Sequence, residues 1–216
     1  MASIEIVNCA MEDYDEVLPI FKSGAYSPIT HAIKNNWKRP RVALFLSSAL
    51  LLIPFSVKYA IMCLLLFWCF HAYCVCRRYD EFYDRCLRTD MKDRQLKFWT
   101  TFPNMYFLAK IDGKVVGMVA CQHMDELTAK LTRMYVDENF RRLGIAKMLT
   151  EYLIQILKER GYKNVIAVTT SPQVGAHRFY ETFGFKHNRD FNIGTFLADY
   201  FTGVYLVEYI YDLQCS

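Results

Sequence analysis

The chain has two textures. From Val42 to Cys76, "VALFLSSALLLIPFSVKYAIMCLLLFWCFHAYCVC", apolar residues follow one another, and apart from Tyr and Cys the only ionisable side chains are Lys58 and His71. Elsewhere charged and apolar positions interleave with periods that name the elements. "IEIV" at 4–7 is strand-like, and "MEDYDEVLPIFKSGA" at 11–25 reads as a helix begun by acidic residues, with Pro19 in its middle. After the apolar run, Tyr79 to about Lys92 predicts a helix. "NMYFLAKIDGKVVGMVACQH" predicts two strands turned at Asp112-Gly113, and "AKLTRMYV" predicts another. Ile145, Met148, Leu149, Tyr152, Leu153, Ile156 and Leu157 fall on one helical face, and Gly161 is placed to end that helix. "NVIAVTT" is a buried strand, "VGAHRFYETF" a short helix, and "FLADYFTGVYLVEYIYDL" holds at least one long strand. The predicted order is β-α-(insert)-α-β-β-β-α-β-α-β-β.

The insert is too long for one straight crossing. About 35 residues at about 1.5 Å each reach about 50 Å, against a hydrocarbon layer of about 30 Å. Pro54 breaks a helix ladder and Lys58 can reach an interface, so the bend is expected there, leaving two halves of about 16 to 18 residues in a tilted hairpin or re-entrant wedge. Lys34, Lys38, Arg39 and Arg41 precede the run, and Arg77, Arg78, Arg85 and Arg88 follow it, which puts both ends on the same, cytosolic face. Trp37, Trp68, Tyr73 and Tyr79 suit the headgroup level. The expected division is therefore 1–40, the first strand and helix; 41–77, a membrane-embedded helical hairpin; and 78–216, the remainder of the same domain.

Composition changes this picture little. Hydrophobic residues make up 53% of the 216, and the excess over a soluble domain sits in the insert. The net charge of +4 is accounted for largely by the basic flanks, which points to anionic lipid and a phosphate ligand rather than nucleic acid. The eight cysteines form no C-x-x-C pairs and no zinc spacing with histidine, so no metal is expected. Reduced thiols are the simplest reading, with Cys74 and Cys76 as candidates for acylation beside the membrane.

The candidate chemistry begins at "NFRRLGIAKML", residues 139–149, where a strand hands over to a helix. Glycine relaxes the backbone there, arginines add charge, and the helix points unpaired N–H groups back at the corner, so such a corner can hold phosphate. Arg141, Gly144 and Ala146 match the [QR]-x-x-G-x-[GA] signature, with Val136-Asp137 upstream. "AHRFYETFGF" supplies Ala176, Tyr180, Gly184 and Phe185 in an A-x-x-x-Y-x-x-x-G-F pattern. Together, in this order, the two motifs resemble the GNAT superfamily of N-acetyltransferases. With its apolar hairpin and the run "GIAKML", the chain is similar to the camello-like membrane branch, some of whose members acetylate aspartate or cysteine S-conjugates.

The resemblance implies an α/β fold with a GNAT-type mixed central sheet flanked by helices, the membrane hairpin inserted after the first helix. It implies an enzyme with acetyl-CoA as co-substrate, the bilayer as partner, an endoplasmic reticulum location and a cytosolic catalytic domain. The pantetheine arm would lie along Met134, Tyr135 and Val136, and the pyrophosphate would meet Arg141, Arg142, Leu143, Gly144, Ile145 and Ala146. Tyr180 would protonate the departing thiolate. For the base that frees the amine, His123 and Glu126 rank above Asp125, and His177 lies one turn before Tyr180. Arg133 could clamp an acceptor carboxylate or be an ordinary surface or salt-bridged arginine; strand alternation puts it on the face of Tyr135, opposite Met134. Three functions are open: transfer to a small amino-acid-type amine, protein lysine acetylation, or a membrane adaptor without turnover.

Overall fold

The interleaved stretches become one seven-stranded mixed sheet. The computed structural model describes residues 3–35, 47, 56–89, 103–192 and 202–214. Strands β1 (Ile4–Asn8), β2 (Met105–Ile111), β3 (Lys114–His123), β4 (Thr128–Val136), β5 (Asn164–Thr170), β6 (Lys186–Phe191) and β7 (Leu206–Asp212) stand in the order β1-β2-β3-β4-β5-β7-β6. All neighbours are antiparallel except β4 and β5, which run parallel. That parallel pair needs a crossover, and α4 (Ile145–Glu159) supplies it. The remaining helices are α1 (Tyr14–Tyr26), α2 (Ile29–Asn35), α3 (Val57–Thr89) and α5 (Val174–Phe183).

Turn chemistry sets the register where the sequence said it would. Asp112 and Gly113 both take positive φ, 49° and 80°, as a two-residue hairpin requires, and Ile111 pairs with Lys114 across it. Gly161, at φ 82°, follows α4. Helix α1 runs through Pro19, which sits on its exposed side.

Alternation along the strands splits the core in two. On one face Val17, Ile20 and Phe21 of α1 pack on Tyr106, Leu108, Met118 and Ala120. On the other, Leu149, Leu153 and Leu157 of α4 pack on Phe107, Val119, Val165 and Ala167, with Tyr180 and Phe185 beside them.

After α1 the described helices differ from the expected ones. A short unexpected helix, α2, comes first, and α3 then runs unbroken for 33 residues. From Val57 onward the apolar run and the helix expected from Tyr79 are therefore one rod. The cause is plain in the sequence: no Gly or Pro occurs between Val57 and Thr89, and the arginines and Glu81 after Cys76 are good helix formers. At about 1.5 Å per residue the rod is about 50 Å long. Residues 42–46 and 48–55, with the bend expected at Pro54, lie outside the described residues, as do Trp37, Lys38, Arg39 and Arg41.

Helix α3 is long and apolar enough to cross a membrane. Val57, Tyr59, Ile61, Met62, Leu65, Leu66, Phe70 and Tyr73 are exposed, whereas Val75, Tyr79 and Cys86 are buried against the fold. Its C-terminal third is docked by Tyr26, whose hydroxyl donates to Asp80 at 2.7 Å, and by packing of Val75 and Tyr79 on Ala32 and Val204.

Candidate active site

A splay in the sheet makes the site. β4 and β5 pair from Thr128 and Asn164 only as far as Leu131 and Ala167, and beyond that point no cross-strand partner joins them. On its other edge β4 carries a bulge: Tyr135 faces Met118 and Thr132 faces Ala120, so two residues, Arg133 and Met134, oppose one. Arg133 takes φ 51°, a conformation uncommon for a residue with a Cβ. The bulge still leaves Arg133 and Tyr135 both against Phe21, while Met134 joins the opposite core cluster.

Two cavities meet at this splay. One, of about 800 Å³, runs from Tyr135 and Val136 past Arg141, Arg142, Gly144 and Ala146. The other, of about 650 Å³, lies between the β4–β5 strands and α3, with Arg78, Glu81, Phe82 and Arg85 on its helical wall and Lys130 and Arg133 on its strand wall. Met134, Tyr135, Gln173, Ala176 and Tyr180 line both. Tyr180 therefore stands at the junction.

The first cavity has the construction of an anion cradle. Gly144 caps α4 at φ 81°, and Arg142 before it is at φ 65°. The first intrahelical bond runs from the Met148 N–H to the Gly144 carbonyl, so the N–H groups of Ile145, Ala146 and Lys147 have no helical acceptor. A Cβ on Gly144 would meet nothing within 4 Å, so the demand for glycine is conformational. Upstream, the Asp137 carboxylate accepts the Asn139 N–H at 2.9 Å and fixes the short turn at Glu138–Phe140 that delivers Arg141.

Tyr180 is buried among Phe179, Phe185 and Tyr209, with ring centroids 5.2 to 5.6 Å away. Burial, reinforced by the Tyr135 and Tyr209 phenols, holds its pKa well above the ordinary phenol range. Among the described residues no protein group hydrogen-bonds its hydroxyl. His177, one turn earlier, points elsewhere: Nε2 donates to the Thr170 carbonyl at 3.2 Å, and Nδ1 is 2.8 Å from the Tyr209 hydroxyl. Burial, followed by the Glu181 carboxylate, pushes Tyr209 up to about 12.

His123 and Glu126 are not brought to this junction. His123 pairs with Ala129 near the start of β4, and from Ala129 to Tyr135 is about 20 Å of strand. Its Nδ1 is 2.7 Å from the Tyr162 hydroxyl, and neither it, Asp125 nor Glu126 lines either cavity. Asp125 caps its own turn through the Leu127 N–H at 2.9 Å, which holds its carboxyl below the usual range. The β3–β4 turn sits at the opposite end of the sheet from the splay. In place of those residues, the wall contributed by α3 was missed. Its signal was available: Arg78, Phe82, Arg85 and Thr89 recur at helical spacing with no breaker after the apolar run.

Comparison with known proteins places these features in context. The sequence model of the Acetyltransferase (GNAT) family matches residues 71–185. N-acetyltransferase 8 of Mus musculus is 29% identical over 226 residues, covering 100% of this chain and 98% of that protein. N-acetylaspartate synthetase of Homo sapiens is 38% identical over 102 residues, 47% of this chain and 34% of that protein. A crystal structure of a GNAT-family acetyltransferase from Staphylococcus aureus superposes with a TM-score of 0.61 at 15% identity, covering 98% of this chain and 99% of that one. That last likeness is one of fold.

Proposed function

The chain belongs to the acetyltransferase (GNAT) family and is an acetyl-CoA-dependent N-acetyltransferase, and from that premise we propose that its acceptor is the amine of a small, amino-acid-type molecule. The observation that carries this reading is the meeting of two cavities at Tyr180, one built for an anion and the other walled by cations. Acetyl-CoA fits the first: the free N–H groups of the first turn of α4 suit its pyrophosphate, with Arg141 and Arg142 adding charge. Met134, Tyr135 and Val136 would hold the pantetheine arm and bring the thioester to the splay.

The acceptor then occupies the cavity against α3. Arg78, Arg85 and Lys130 on its walls suit an acceptor carboxylate. Arg133 is less suited to that task, because its guanidinium is packed against Phe21 and Phe82 and one nitrogen donates to the Cys86 sulfur at 3.1 Å. The relative named N-acetylaspartate synthetase, matched over 47% of this chain, supports a small-molecule acceptor.

Transfer proceeds by direct attack. The neutral amine nitrogen adds to the thioester carbonyl, a backbone N–H at the β4 bulge stabilises the growing oxyanion, the C–S bond breaks, and Tyr180 donates its proton to the thiolate. Its raised pKa keeps that proton in place over the working pH range. Among the described residues, Glu81 is the carboxylate on the acceptor cavity wall, and we assign it, rather than His123 or Glu126, to take the proton from the acceptor ammonium before attack; the second proton, which leaves nitrogen as the amide forms, restores the Tyr180 hydroxyl.

We further propose that residues 41–77 are embedded in a membrane, with the domains on either side of them forming one cytosol-facing catalytic unit. The exposed apolar face of α3 supports embedding. An endoplasmic reticulum address follows from the resemblance to camello-like proteins. The test is CoA-thiol release by the detergent-solubilised full chain with aspartate, S-benzylcysteine, a polyamine and a lysine peptide. Turnover on an amino acid supports the reading; turnover on the peptide alone replaces it with protein acetylation.

A further inference from the structure

The apolar helix reaches into the catalytic centre through Arg133. This residue occupies the β4 bulge at φ 51°, a conformation that side chains with a Cβ hold only when their surroundings impose it. What surrounds it comes from two helices. The guanidinium carbon lies 5.4 Å from the centre of the Phe21 ring on α1 and 5.8 Å from that of Phe82 on α3. Nη2 donates to Cys86 Sγ, also on α3 and one turn beyond Phe82. Arg133 is thus clamped between the two helices, and the helix that supplies Phe82 and Cys86 is the unbroken rod whose other end is the exposed apolar stretch.

We propose that Arg133 is a positioning residue. Through Phe82 and Cys86, α3 sets the shape of the β4 bulge and so aims the backbone N–H that stabilises the oxyanion. The membrane-directed helix is on this account part of the catalytic apparatus as well as an anchor. The inference rests on the acetyl-transfer reading given above.

Two mild variants of the full chain test it: Arg133→Lys keeps the charge but loses the planar face that stacks on the rings, and Phe82→Leu keeps bulk but loses the ring. Phe82→Tyr retains the ring as a rescue control. Rates are measured for acetyl transfer and for acceptor-free acetyl-CoA hydrolysis, because water attack needs the same oxyanion support. Both clamp variants should lose at least tenfold in kcat for both reactions, with KM for acetyl-CoA within about twofold, and Phe82→Tyr should recover the kcat of acceptor-free hydrolysis relative to Phe82→Leu. A raised acceptor KM with hydrolysis untouched would show that Arg133 and Phe82 contact the acceptor instead, and would overturn the proposal. Unchanged kcat in both variants, with or without a lower Tm, would overturn it too. Absence of transfer by the wild-type chain on every acceptor would defeat the acetyl-transfer reading itself, a result separable from these.

Discussion

Replacing Gly24 by alanine should damage catalysis more than folding. An ideal Cβ at position 24 would lie 2.0 Å from Tyr135 Cδ1 and 2.7 Å from Cγ and Cε1. Carbon atoms settle at about 3.5 to 4 Å, so the ring must retreat by about 1.5 Å. One side of the ring is closed, since Phe21 stands edge-on at 5.6 Å. The other side borders the cavities, both of which Tyr135 lines, so the ring has space to move into. Overpacking a closed core costs about 1 to 3 kcal/mol; with space to yield, the lower end applies, about 1 kcal/mol. For a chain of this size that is about 2 to 4 °C in Tm. The catalytic cost is larger, because a displacement of about 1 Å in positioning groups can cost about 10²-fold in rate. Thermal unfolding and steady-state thiol release, run on the same Gly24→Ala preparation, read the two effects. Wild-type kcat with wild-type Tm would show that α1 does not approach β4 this closely, and the geometry assigned to the splay would fall with it.

Three other outcomes follow from the site. Gly144→Glu forces a side chain into the left-handed region, at about 1 to 2 kcal/mol, and puts a carboxylate at the anion cradle, so titration calorimetry should show acetyl-CoA binding lost while the fold persists. Glu81→Gln should depress kcat at neutral pH and let it climb as alkaline pH deprotonates the acceptor amine directly; a wild-type pH profile would clear Glu81 of any part in proton transfer. Alkaline carbonate washing of membranes from expressing cells should leave the chain in the pellet, and a chain that washes off would contradict embedding through α3.

How much of this was legible in the sequence depended on whether local pattern or three-dimensional direction decided it. The Asp112-Gly113 turn and the Gly144 corner are local, and each lies where its residues imply, whereas the face of α4 was legible in part: Ile145, Leu149, Leu153 and Leu157 are buried, but Tyr152 is exposed, and Thr150 and Ile154 are buried instead. His123 and Glu126 are candidate bases by their chemistry, but a sequence does not say which end of a sheet opens. The splay opens where β4 parts from β5, at the far end from their turn. The bulge at Arg133 was invisible because an extra residue leaves no compositional mark, and alternation predicted the right side for Arg133 without revealing it. The continuity of α3 was readable from the missing Gly and Pro, yet the change from apolar to charged texture at Arg77 looked like a boundary. It marks a change of surroundings along one helix.

The central claim is that acetyl transfer occurs at the junction of the two cavities, with Tyr180 as the proton donor. Tyr180→Phe removes one buried hydroxyl and leaves the ring among Phe179, Phe185 and Tyr209. Measured on the full chain with an acceptor that turns over, kcat should fall by about 10²-fold or more, within the usual range for loss of a general acid, while acetyl-CoA affinity stays within about twofold. An undiminished kcat would contradict the account and place the chemistry away from this tyrosine.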